Sequence, residues 1–223
     1  MILIFLLVIV FISSSSLGSY ASTSELTSKP PINGVVMKGA FVSMNQYDYG
    51  LPSAPENYSE DSLKMICEAG LNHVRFVFYW EAYERDPEAF INEIKSVANA
   101  ADRNGLKIIY DNHQWHTSSW FEERATGFPW SLFGDNSKYS RGGGGNTPDE
   151  AAQEFWGDWW DRSVKDKEGK DGWAQMGEFL KEIVLTVDNH SSTLGYEILS
   201  EPHVHNKGQW SKIGKFNSFI TEE

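Results

Sequence analysis

The chain has 223 residues, with 19 Lys and Arg against 31 Asp and Glu and a formal net charge of -12. Phosphates need Lys and Arg to neutralise them, so this balance argues against nucleic acid as a partner; it also argues against anionic membranes and acidic glycans, and leaves neutral glycans open. Cys67 is the only cysteine, which excludes an intrachain disulfide.

In chain order, Ile2 to Ile12 is an unbroken apolar run, followed by Ser13 to Ser16 and by the small-residue pattern Ser19-Tyr20-Ala21. This reads as a secretory signal peptide over residues 1–21, cut after Ala21, and it predicts a secreted, extracellular protein with no membrane association after cleavage. The run is shorter than the ~20 residues a spanning helix needs; an uncleaved anchor is the alternative. Residues 22–34, with Lys29-Pro30-Pro31, read as a linker or extended lead-in. Residues 35–223 are expected to form one domain. Asn57-Tyr58-Ser59 and Asn189-His190-Ser191 are acceptor patterns for N-glycosylation.

Val35 to Met44 reads as a first strand, and residues 45–58, with Gly50, Pro52 and Pro55, as a loop. Two units with one grammar follow. Ser59 can cap a helix carrying Leu63, Ile66 and Cys67; Gly70 stops it and Leu71 leads into the strand 73–80. Asp86 then caps and Pro87 takes the first helical position. Phe90, Ile91, Ile94, Val97, Ala98 and Ala101 line one face, Gly105 stops the helix, and Leu106 leads into the strand 107–112. A helix-Gly-Leu-strand unit that recurs predicts consecutive βα units on a parallel sheet.

Residues 116–146 break this rhythm with Gly127, Pro129, Gly134 and Gly142 to Gly145. In a βα barrel, such an insertion after a strand extends the face where active sites lie, although the tetraglycine also reads as a plain surface linker. Thr147-Pro148-Asp149-Glu150 is a capping box that opens a helix holding Phe155, Trp156, Trp159 and Trp160, which read as packing residues. A charged turn at 165–172 precedes a helix from Trp173 to Val187 with Met176, Phe179, Leu180 and Ile183 on one face. The fourth strand is 194–199, and Trp210 to Glu223 begins a further helix. The expected class is α/β, a partial (β/α)₈ barrel of about four βα units.

The polar residues that stand out lie at or near strand ends. Arg75 is inside the second strand, where a charge calls for a partner. Asp111, His113 and His116 follow the third strand, and Ser200 and Glu201 follow the fourth. Glu201 before Pro202 is the most specific signal, since Pro halts an apolar strand and leaves the carboxylate at its mouth. A structural ion pair for Arg75 and a hydrogen-bonded core histidine for His113 are the plainer alternatives.

The ordered set resembles glycoside hydrolase family five, the cellulase family, whose members carry an Arg on the second barrel strand, a His after the third and Asn-Glu-Pro after the fourth. Arg75, His113 within Tyr110-Asp111-Asn112-His113-Gln114-Trp115-His116, and Glu201-Pro202 match over roughly residues 35–210. The resemblance implies a retaining glycosidase of endo-β-glucanase type that acts on a neutral β-linked polysaccharide or oligosaccharide without metal or other cofactor. Glu201 would be the general acid/base, His113 would bind the sugar beside the scissile bond, and Arg75 would keep the nucleophile ionised. Ser200 stands where the family has the Asn that binds the sugar 2-hydroxyl. The family's nucleophile is a Glu after the seventh strand, and no residue here matches it. The isolated chain is therefore expected to lack turnover and to self-associate through an open sheet edge. Trp80, Trp115, Trp120 and Trp130 are candidate sugar platforms, with Trp115 and Trp120 foremost. Two other classes stand beside this reading. One is a non-catalytic glycan-binding relic. The other is a metal-dependent hydrolase using Asp111, His113, His116, His203 and His205.

Overall fold

The computed structural model describes residues 31–48, 57–134, 137–141 and 147–222. The apolar amino-terminal run, the linker up to Pro30 and the tetraglycine lie outside them. Four parallel strands form one sheet in the order β1 (Gly34–Lys38), β2 (His73–Phe78), β3 (Lys107–Asn112), β4 (Thr193–Glu197). The helices are α1 (Tyr58–Glu68), the short α2 (Trp80–Arg85), α3 (Pro87–Asn104), α4 (Pro148–Trp160), α5 (Gly172–Val187) and α6 (Lys207–Glu222). Among the described residues no helix is long and apolar enough to cross a membrane.

The local signals explain most of these boundaries. The Asp86 carboxylate accepts from Ala89 N at 3.0 Å, with Pro87 behind it, and Gly105 closes α3 at φ 68°, in the left-handed region that favours glycine. All six predicted core positions of α3 are buried. Thr147 and Glu150 complete the capping box of α4 in both directions. Phe155, Trp156, Trp159 and Trp160 are buried, as their spacing predicts. α1 packs on α3, α3 on α5, and α5 on α6, so the helices cover one face of the sheet.

Several boundaries differ from expectation: β4 is Thr193–Glu197 rather than 194–199, α6 starts at Lys207 rather than Trp210, and three others have a visible cause. α1 begins at Tyr58 with Asn57 at its cap position, so Ser59 lies inside the first turn and is buried. β1 ends at Lys38, because the chain turns to present the amides of Ala40, Phe41 and Val42 to the Glu93 carboxylate of α3, at 2.5, 2.7 and 2.9 Å. A three-amide cradle around an anion outweighs the strand preference of residues 40–44. β2 ends at Phe78, and Trp80 opens α2 rather than ending the strand. Trp80 stacks on Phe179 of α5 at 5.6 Å between ring centres and is 5% exposed. It is a core residue and offers no free face to a sugar.

Glu81, the next residue, is a buried carboxylate on which two loops are hung. It accepts from Gln46 N at 3.0 Å, from the Ser119 hydroxyl and from Ser119 N at 3.3 Å. Burial pushes its pKa up to about 7, even though these hydrogen bonds favour the charged form. The folded pKa lies above the unfolded value of 4.5, so folding prefers the protonated acid. This contribution is complete below pH 4.5 and is lost as pH rises to about 7. The expected outcome is a fall of about 3 kcal/mol in unfolding free energy across that window, absent from Glu81→Gln. Denaturant titrations of both proteins at pH 4.5 and 7.5 check it; parallel pH profiles would refute it.

Candidate active site

The sheet register places the polar side chains before any loop is considered. Val77 pairs with Asp111, and Asp111 with Glu197. Arg75 lies two residues before Val77, so pleating brings Arg75, Asp111 and Glu197 onto one face of adjacent strands. The guanidinium then closes the group. Arg75 Nε and Nη2 donate to Glu197 Oε2 at 2.9 and 2.6 Å, and Nη2 lies 3.0 Å from Asp111 Oδ2 and 2.8 Å from Ser200 Oγ. Asp111 is fully buried, and its Oδ2 lies 3.0 Å from His113 Nδ1. Arg75, Asp111, His113, Glu197 and Ser200 thus form one connected network at the carboxyl ends of β2, β3 and β4.

The charges in this network constrain one another. Burial pulls the Arg75 pKa down, but the hydrogen bond to Glu197 and the fields of Asp111, Glu197 and Glu201 outweigh it, and the net direction is up. Burial raises the Glu197 carboxyl above the ordinary range; Arg75 opposes this and neighbouring Asp111 reinforces it. Two carboxylates on one guanidinium leave an excess of negative charge, which is why Asp111 adds to the upward shift of Glu197.

Glu201 sits just beyond. Its side chain is exposed, and its backbone adopts φ 52°, one of four left-handed non-glycine residues among those described. It follows Ser200 by one residue, so the chain runs from the Arg75 network directly into Glu201 and the loop after β4. Tyr79 packs edge-on against the His113 ring at 6.0 Å. A pocket of about 230 Å³ is lined by His116, Glu122, Asp149, His203 and His205 together with apolar side chains such as Phe121 and Ala152.

The long segment after β3 is packed rather than loose. An isolated bridge joins Trp115 to Thr126, Thr117 to Ser119 are buried, and Phe121, Phe128 and Phe133 pack on Phe155. Trp115 stands 43% exposed, with its ring 4.1 Å from that of His116. Trp120 lies within this cluster. It stacks on Phe133 at 5.8 Å, meets Trp130 edge-on, and donates from Nε1 to Tyr139 O at 2.5 Å. The Arg141 guanidinium covers the Trp130 ring at 4.4 Å.

The five residues of the metal reading fall into two sets, Asp111 and His113 in one and His116, His203 and His205, which line the pocket, in the other. Asp111 and His113 belong to the Arg75 network, His116 pairs with Glu122 at 3.0 Å, and His203 stacks on Trp156 at 5.3 Å. Among the described residues no three His, Cys, Asp or Glu side chains are grouped to hold a metal ion. Sequence reasoning passed over Glu197 and Gln114. Glu197 was detectable, as a carboxylate inside the apolar run Leu194 to Leu199 that demands a cation such as Arg75.

The model of a family described as Cellulase (glycosyl hydrolase family 5) matches residues 37–222. Among solved structures, an endogalactoceramidase superposes with a TM-score of 0.65 at 19% identity, covering 85% of this chain and 45% of that one. Endo-glycoceramidase II from Rhodococcus sp. superposes with a TM-score of 0.60 at 14% identity, covering 86% of this chain and 48% of that one. The chain spans less than half the length of these structures, and at such identities the likeness concerns the fold. The four βα units are a partial (β/α)₈ barrel. No curated protein matches the chain.

Removing the cation tests the network. Arg75→Met is expected to cost about 3 kcal/mol, because it leaves Asp111 and Glu197 buried without their counter-charge. Glu197→Gln in the Arg75→Met background should recover part of that loss by deleting one of the two stranded charges. Urea midpoints at constant slope measure both; additive effects would mean that the residues are uncoupled.

Proposed function

The chain belongs to the cellulase family, glycosyl hydrolase family 5, and from that premise we propose that it serves hydrolysis of O-glycosyl bonds in a neutral β-linked polysaccharide or oligosaccharide, with Glu201 as general acid/base. The observation that supports this reading is the convergence of Arg75, His113 and Ser200 at the carboxyl ends of adjacent parallel strands, with Glu201 the next residue of the chain. That end of a βα barrel is where catalytic side chains from different strands meet.

Each residue has a chemical part. Glu201 delivers a proton to the glycosidic oxygen as the bond to the anomeric carbon breaks, and later removes one from the attacking water. Asp111 accepts from His113 Nδ1, which leaves Nε2 as an acceptor for a sugar hydroxyl. Ser200 Oγ accepts from Arg75, so its own proton is free to be donated to the sugar. Trp115 offers a partly exposed ring at the rim. Trp120, its rings and Nε1 engaged within the loop, acts by holding that rim.

A retaining mechanism also needs a nucleophilic carboxylate about 5–5.5 Å from the acid/base. The other carboxylates of the cluster, Asp111 and Glu197, are committed to Arg75. The proposal therefore assigns the nucleophile to a group outside the described residues, brought in across the open side of the sheet. It includes export directed by the apolar amino-terminal run and association through the unpaired edges of β1 and β4.

A small external nucleophile can stand in for the missing carboxylate. Azide attacks the anomeric carbon from the face opposite the leaving group, while Glu201 protonates the departing oxygen. The chain alone should leave soluble β-glucans and mannans intact. With azide it should convert 4-nitrophenyl β-cellobioside to the α-cellobiosyl azide, and Glu201→Gln should slow that reaction about 100-fold. Equal rates in the variant, or no azide product, would overturn the role of Glu201. Hydrolysis of β-glucan without azide would overturn the external nucleophile.

A further inference from the structure

Glu201 holds a left-handed backbone, which costs a non-glycine residue of its kind about 1–2 kcal/mol. Some contact has to hold it there. Two other described residues with positive φ, His116 at 54° and Thr117 at 74°, lie in the loop that faces it. A single buried side chain joins the two strained segments. Gln114, 1% exposed, donates from Nε2 to Glu201 O at 2.5 Å and accepts from Thr117 N at 2.8 Å on Oε1.

The surroundings leave the Gln114 amide little freedom. The Trp156 indole N–H donates to Thr117 Oγ1 at 2.8 Å, and Phe128 N donates to Thr117 O at 2.9 Å, so the left-handed turn is fixed from α4 and from its own loop. Gly127, at φ 147°, packs directly on Gln114: a Cβ there would stand 2.5 Å from Gln114 Cβ and 2.7 Å from Thr117 O. Trp115, next to Gln114, is locked to Thr126 by two backbone hydrogen bonds of 2.8 and 3.0 Å. Gln114 is thus held by its surroundings, and its amide nitrogen donates to the carbonyl of Glu201.

We propose that Gln114 is a positioning residue. Its amide holds Glu201 in the left-handed conformation and so aims the acid/base carboxylate at the leaving-group oxygen. The inference rests on the acid/base reading of Glu201 given above. Gln114 touches no reacting atom; it acts through the backbone of the residue that does. A loosened Glu201 would still carry its carboxyl group, but proton delivery would lose its geometry. The deficit would grow with the leaving group's need for a proton.

Two variants test this. Gln114→Met keeps the bulk and removes both hydrogen bonds. Gln114→Glu keeps the acceptor for Thr117 N and replaces the donor to Glu201 O with an oxygen. Crystal structures of both variants read the backbone without requiring activity, and Glu201 is expected to leave positive φ in each. A Glu201 that keeps φ near 52° in both would overturn the proposal. The second reading is the azide reaction on two substrates. With 4-nitrophenyl β-cellobioside, which leaves better with a proton, both variants should be slowed about 10-fold or more. With the 2,4-dinitrophenyl glycoside, which needs none, the loss should be several times smaller. Equal loss on both substrates would mark Gln114 as merely structural and overturn the inference. If the unmodified chain forms no azide product, the acid/base reading fails instead, and the backbone of Glu201 in the two variants still decides the tether.

Discussion

One guanidinium organises this molecule. Arg75 reaches from β2 to Asp111 on β3 and to Glu197 on β4, and its Nη2 also holds the Ser200 hydroxyl just past the end of β4. Parallel strands that carry two buried carboxylates side by side would repel without that cation. The half-buried cation in turn needs those carboxylates as partners. The polar network and the alignment of strand ends are therefore one fact seen from two sides. The site follows from it, because His113 leans on Asp111 and Glu201 comes one residue after Ser200.

The rest of the fold is built around keeping that face accessible. The helices lie on the opposite face and bury a continuous aromatic and aliphatic core. The described residues of the segment after β3, which interrupts the regular alternation, form a packed layer of Phe and Trp rings. Ser119 and Gln46 are tied to the buried Glu81 below it, and Trp130 N and Ser131 N to Glu84. The described part of a long insertion becomes a packed rim in this way. The edges of the sheet are less complete. Val35 and Val36 on β1 and Leu194 on β4 remain exposed, and the described residues leave these edge strands unpaired on their outer sides.

The fold was legible from the sequence to a large extent, and the reason is local. Asp86-Pro87, Thr147-Pro148-Asp149-Glu150, Gly70 and Gly105 act through hydrogen bonds and dihedral limits within a turn of themselves, so the helix ends they mark do not depend on distant residues. The end of β1 was misjudged for the opposite reason. Its determinant, Glu93, lies more than fifty residues away and acts only once α3 has docked. Trp80 was misread in the same way: an exposed ring and a core ring look alike until Phe179 is stacked on it.

For the site, residue types and their order along the strands were enough to single out Arg75, His113, Ser200 and Glu201, because strand periodicity and the stop at Pro202 limit where such side chains can point. The family followed from that order. Only the tertiary structure decided the pairing of Arg75 with Glu197, the bridge from Gln114 to Glu201, and the division of the five candidate metal ligands between the Arg75 network and the pocket lined by His116, His203 and His205. Those are choices between partners equally available in composition, and the first of them is settled by register between strands. A shift of one residue would turn Asp111 and Glu197 to opposite faces and leave Arg75 a single carboxylate, and nothing local to any of the three strands encodes which register prevails.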